Sequence, residues 1–92
     1  MKTFEDIAKE VGQLVTKKNE AYGDSFRTSG EILKLLYPNG AHPEQYRDML
    51  ATVRVLDKLS RIATDKAALG EDPWRGILGY AILAVHADMR DG

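Results

Sequence analysis

From His42 to Leu69 the chain carries an unbroken helical pattern, opened by His42-Pro43 and closed by Gly70. Proline's fixed φ suits a first helical turn, and its missing N–H costs nothing there. Twenty-odd residues at about 1.5 Å each make a rod of roughly 40 Å. That is longer than a compact domain of 92 residues is wide. Everything else has to pack against this helix, and its length predicts that it reaches past its own subunit.

Two stripes run along it at 100° per residue. Tyr46, Met49, Val53, Leu56, Ser60 and Ala63 fall on one side, and Leu59 and Ile62 widen it into an apolar arc expected to be core. Opposite lie Arg47, Arg54, Lys58 and Arg61, a one-sided basic ridge. Such a ridge is either a solvated face whose charges pair locally, as Asp57 could with Arg61, or a phosphate site. Arg54 and Lys58 repel slightly at i,i+4, which gives a reason to seek a second use for them.

Ninety-two residues allow a single domain, 1–92, and a chain this short gains from subunit association. A formal net charge of −1 argues against a DNA-coating protein, which needs a wide basic field. With no cysteine and only His42 and His86, disulfides are excluded and a zinc site is not expected. No apolar run approaches the ~20 residues of a membrane span, and the amphipathic, acidic start MKTFEDIAKE is unlike a secretory signal. The expectation is a cytoplasmic protein with no membrane partner.

In chain order, Thr3 can cap a first helix with Asp6 completing a capping box, and Phe4, Ile7, Ala8, Val11, Leu14 and Val15 keep helical spacing to about Lys18. Lys17 to Phe26, KKNEAYGDSF, then mixes turn formers with the large apolar Tyr22 and Phe26. It is either a site-bearing loop, or a helix end at Gly23 followed by a new helix capped by Asp24 or Ser25, with both rings packed. From Ser29 a short second helix carries Ile32, Leu33, Leu35, Leu36 and Tyr37 and stops at the turn Pro38-Asn39-Gly40. After the long helix, Asp72 is placed as N-cap and Pro73 as the first residue of a fourth helix that runs to about Arg90. That helix is apolar around most of its circumference, which marks a central or interface element. Its Gly76 and Gly79 predict close approach of a neighbour or ligand, since glycine inside a helix costs about 1 kcal/mol relative to alanine. The fold class is all-α: a compact bundle of about four helices with one long helix, assembling as a homo-oligomer.

Chemistry narrows in the same way. Ser25 sits in no nucleophile elbow, YGDS lacks the spacing of a phosphate-binding loop, and no dense acidic cluster suits magnesium. Cations and aromatics are what the chain offers: Lys17, Lys18 and Tyr22 before the loop, Phe26 and Arg27 after it, and the ridge of Arg54, Lys58 and Arg61. A guanidinium for phosphate oxygens and a ring for base stacking are the two requirements of nucleotide recognition.

KKNEAYGDSF, RVLDKLSRI and EDPWRGILGYAILAV together resemble the small phage-encoded all-α proteins of the nucleotide modification associated domain type, distantly similar to MazG-like nucleotide pyrophosphohydrolases. The match spans roughly Lys17 to Val85 and rests on Lys18, Tyr22, Gly23, Asp24, Ser25 and Phe26, on Asp57, Lys58 and Arg61, and on Gly79 and Tyr80. The resemblance implies a nucleotide-handling role in a virus infecting bacteria, hence the host cytoplasm, and an oligomer. The acidic quartet that holds magnesium in the MazG-like enzymes has no counterpart here, and Gly76 stands where an acid is expected. The resemblance therefore favours binding without cleavage, as in small phage proteins that sequester cyclic nucleotide signals of bacterial anti-phage immunity.

The leading expectation is a nucleotide-binding, non-catalytic protein whose site comprises Lys18, Tyr22, Gly23, Asp24, Ser25, Phe26, Arg54, Lys58, Arg61 and Tyr80, with no cofactor. The alternative is a metal-dependent pyrophosphohydrolase using Mg2+ on Asp24, Asp57 and Asp72. A partner-binding bundle without a ligand is the third.

Overall fold

The computed structural model describes residues 1–91, the side chain of Leu69 excepted. It is all-α. Helix α1 spans Phe4–Tyr22, α2 Ser25–Leu36, α3 Tyr46–Asp65 and α4 Pro73–Asp91, with single 3-10 turns at Pro43–Gln45 and Ala68–Gly70. The long rod is thus shorter than its sequence pattern: Pro43 opens a 3-10 turn rather than the α-helix, and regular helix ends at Asp65, four residues before Leu69. Gln45 Oε1 accepts the His42 N–H at 2.9 Å, which fixes the entry.

The expected caps form. Thr3 Oγ1 accepts the Asp6 N–H at 3.1 Å while Asp6 Oδ2 accepts the Thr3 N–H at 3.0 Å, so two otherwise orphaned donors of α1 are satisfied. Asp72 Oδ1 accepts the Trp74 N–H at 3.0 Å, with Pro73 as first residue of α4.

Helix α3 is the shared partner on which α1, α2 and α4 all pack. The contacts along one side show how α4 runs: Arg47 pairs with Asp91, Lys58 lies against Gly76 and Tyr80, and Arg61 bonds to Glu71. Residue numbers fall on α4 as they rise on α3, so the two are antiparallel. Lys58 and Arg61 of the basic ridge therefore lie in the seam along which α4 is laid, which corrects the solvated-face reading for these two, while Arg47 and Arg54 stay exposed. The apolar arc is only partly covered, Met49, Val53, Leu56 and Ile62 being half-buried while Tyr46, Leu59 and Ala63 stay exposed.

Deep burial is scarce among the described residues, comprising Ala21, Ser25, Ser29, Arg61 and Pro73. Large apolar side chains lie on the surface instead, among them Phe4, Val11, Leu14 and Val15 on α1 and Trp74, Leu78, Ile82, Leu83 and Met89 on α4. The chain exposes 7305 Å², where a folded monomer of 10.3 kDa exposes about 5,400 Å². Its radius of gyration is 16.1 Å, against about 12 Å for a compact chain of this length. No helix among the described residues is long and apolar enough to cross a membrane.

Candidate functional site

Tyr80 stands at the middle of the α3–α4 seam. The Lys58 ammonium lies 5.9 Å from the centre of its ring, within reach of the attraction between a cation and a π face. Gly76 makes this possible. It sits one turn before Tyr80 on the same face of α4, and a Cβ there would collide with the Lys58 side chain. The missing side chain leaves room for the end of the lysine stem beside α4, where its charge lies near the ring. Gly79 has open space where its Cβ would be, so nothing within the described chain demands a glycine there.

Tyr80 also lines a cavity of about 160 Å³, together with Arg47, Leu50, Ala51, Leu83 and Ala84. Its lining is mostly apolar, with Arg47 as its one charged residue. Arg47 Nη2 donates to Asp91 Oδ2 at 2.6 Å, and the Arg90 guanidinium first, then that of Arg47, holds the Asp91 carboxyl below the usual carboxylate range. Arg54 is exposed on α3 between Arg47 and Lys58. A ring with a cation beside it and an adjoining apolar recess can stack a base and hold an anion close together.

Arg61, expected in the same surface, is not part of it. Its side chain is wholly buried. Nη2 donates to the Glu71 carbonyl oxygen at 2.6 Å, and Nη1 comes to 3.5 Å from Glu71 Oε2 without a hydrogen bond. The local pairing with Asp57 is replaced by this longer-range one, because the chain turns back over Arg61 before α4 begins. Nε and Nη1 have no hydrogen-bond partner, so Arg61 serves as a clamp between α3 and the start of α4.

The KKNEAYGDSF stretch is not an open loop. Helix α1 continues to Tyr22, four residues beyond the expected end, and α2 begins at Ser25, four before the expected start. Gly23 and Asp24 make the corner, both in the left-handed region with φ of 61° and 59°. A Cβ at Gly23 would collide with Thr64 Oγ1, which seats the corner on the end of α3, three residues beyond Arg61. The Asp24 carboxylate takes the Arg27 Nε–H at 2.9 Å. Ser25 is buried and Tyr22 half-buried, whereas Lys18 and Phe26 are exposed, Phe26 at 92 %. The packed-corner reading describes this backbone with two exceptions: the Phe26 ring is unpacked, and Asp24 holds the N-cap position without a side-chain cap hydrogen bond.

The predicted residues thus form two groups. Lys58 and Tyr80 meet in the seam with Arg54 nearby on α3, while Tyr22, Gly23, Asp24 and Ser25 form the corner at the far end of α3. Two contributors escaped the predicted site. Arg47 had been read only as part of the ridge, and Gly76 as a point of close approach whose neighbour, the Lys58 side chain, was not named. Of the acids considered for a metal, Asp24 is paired with Arg27 and Asp72 caps α4, and no group of three or more His, Asp or Glu converges among the described residues.

No family model, curated protein or solved structure matches the chain.

Proposed function

We propose that this protein binds a nucleotide, linear or cyclic, along the α3–α4 seam without turning it over, and that it does so as a homo-oligomer. The observation that carries the reading is the Lys58 ammonium over the Tyr80 ring, with Gly76 leaving room for the lysine stem. Tyr80 supplies a face for a base, Lys58 and Arg54 supply charge for phosphate, and the adjoining recess is lined by Tyr80 and Arg47 among apolar side chains. Binding without cleavage is supported by the carboxylates, since Asp24 and Asp72 are engaged in an ion pair and a cap. Oligomerisation is supported by the surface, whose excess of about 1,900 Å² over the monomer expectation exceeds the ~800 Å² that each partner contributes to a standard interface. With the resemblance to small phage proteins, the biological role proposed is capture of a nucleotide signal of bacterial anti-phage immunity.

Calorimetric titration with a panel of linear and cyclic nucleotides, with and without magnesium, tests this. Saturable binding without magnesium, and the nucleotide recovered intact afterwards, is the expected result. Absence of heat across the panel, or recovery of cleaved product, contradicts it.

A further inference from the structure

Helix α1 packs on α3 but buries little of its own surface there. Every residue from Met1 to Glu20 is exposed, yet the helix carries a continuous apolar stripe: Phe4 at 92 % exposure, Ile7 at 47 %, Val11 at 51 %, Leu14 at 50 % and Val15 at 57 %. Such a stripe is built for a neighbour, and the packing on α3 leaves each of these five side chains about half exposed or more.

The stripe is self-complementary about Val11. Turned antiparallel, two copies of α1 that meet at Val11 place residues summing to 22 opposite one another: Ile7 against Val15, Leu14 against the small Ala8, and Phe4 against Lys18. Lys18 lies four residues past Leu14 and seven past Val11, so it continues the stripe, and its charge would fall on the Phe4 ring of the other copy. Large side chains oppose small ones and the exposed ring opposes a cation, with no like charges brought face to face within the stripe. A parallel pairing would set Phe4 on Phe4 and Lys18 on Lys18, leaving a repulsive pair at one end.

We infer that a second copy of this chain occupies the α1 face, as an antiparallel helix pair with its two-fold axis at Val11. The excess exposed surface is more than a two-copy interface of standard size requires, so area permits it. Where the nucleotide-binding reading also holds, the inference deepens it. Lys18 is one turn from Tyr22 on α1, so Phe4 of the second copy stands beside the α1 side of the corner.

The absence of cysteine makes the test direct. Val11→Cys and Phe4→Cys are made singly in the full chain, at positions exposed in the lone subunit, and oxidised mildly at micromolar concentration without any nucleotide. Val11→Cys should convert mostly to a disulfide-linked dimer. Phe4→Cys should not, because its two copies lie about 20 Å apart along the axis at 1.5 Å per residue. Light scattering of the unsubstituted protein should give at least twice the mass of one chain. A monomeric mass, no cross-link at Val11→Cys, or equal cross-linking at Phe4→Cys overturns the inference. Because no nucleotide is present, a protein that cross-links at Val11→Cys but binds nothing refutes the nucleotide reading alone.

Discussion

The Arg61 guanidinium donates to the Glu71 carbonyl at 2.6 Å from a side chain with no exposed surface. A charge from the last turns of α3 is thereby spent on holding the segment that launches α4, and α4 in turn carries Tyr80 to the seam. Arg61→Ala removes both a charge-assisted hydrogen bond and a buried side chain. The expected loss is about 2–4 kcal/mol, a drop of roughly 10 °C or more in Tm for a domain this small. Thermal denaturation followed by circular dichroism measures it. A Tm within 2–3 °C of the parent would show that the clamp is not structural.

Gly23 should be equally intolerant, for a backbone reason. Its φ of 61° lies where a Cβ is strained, and that Cβ would meet Thr64 Oγ1. Gly23→Ala is expected to destabilise by about 1–2 kcal/mol from conformation alone, and further through the collision. Denaturant unfolding of Gly23→Ala, Thr64→Ala and the double variant separates the two contributions. Partial recovery in the double variant is the expected outcome, and strict additivity would remove the collision.

The start of α1 should loosen in acid. The Thr3 backbone N–H, and then its hydroxyl, hold the Asp6 carboxyl below its usual value of 3.8. A carboxylate whose pKa is lower in the folded chain contributes stability that is full above the unfolded value and is lost as pH falls through the folded one. Amide exchange at Ile7, whose N–H bonds to the Thr3 carbonyl, should therefore accelerate as pH drops below about 4 relative to the intrinsic rate. In Asp6→Asn that acid-dependent acceleration should be absent.

Helix number, the capping box at Thr3 and Asp6, the Asp72–Pro73 entry to α4 and the all-α class were legible because each rests on local chemistry: hydrophobic period, cap residues and fixed φ. The direction in which each helix turns its faces was not. The sector shared by Arg47, Lys58 and Arg61 was correctly read as one-sided, but 100° periodicity cannot say whether a basic stripe meets water or another helix. Here α4 and the segment before it take part of the stripe, giving Arg47 and Arg61 oxygen partners at Asp91 and Glu71 and Lys58 an aromatic one at Tyr80, while Arg54 stays exposed. The corner at Gly23 and Asp24 was legible only as one of two alternatives, a site-bearing loop or a helix end followed at once by a new helix, and composition does not decide between them. Two successive left-handed residues reverse the chain without a loop, so helix extends closer to the turn than its composition suggests. Gly76 was visible as an anomaly, and only the path of the Lys58 stem explains it.

The central claim is that Lys58 and Tyr80 bind a nucleotide, and titration of the parent beside Lys58→Met tests it most directly. Methionine keeps much of the stem that lies against Gly76 and removes the charge, so Tm should stay within a few degrees. Loss of one charge-assisted contact of about 1.5–3 kcal/mol should raise Kd by tenfold or more for whichever nucleotide of the panel binds the parent most tightly. An unchanged Kd at unchanged Tm would contradict the account and remove the seam from any binding site.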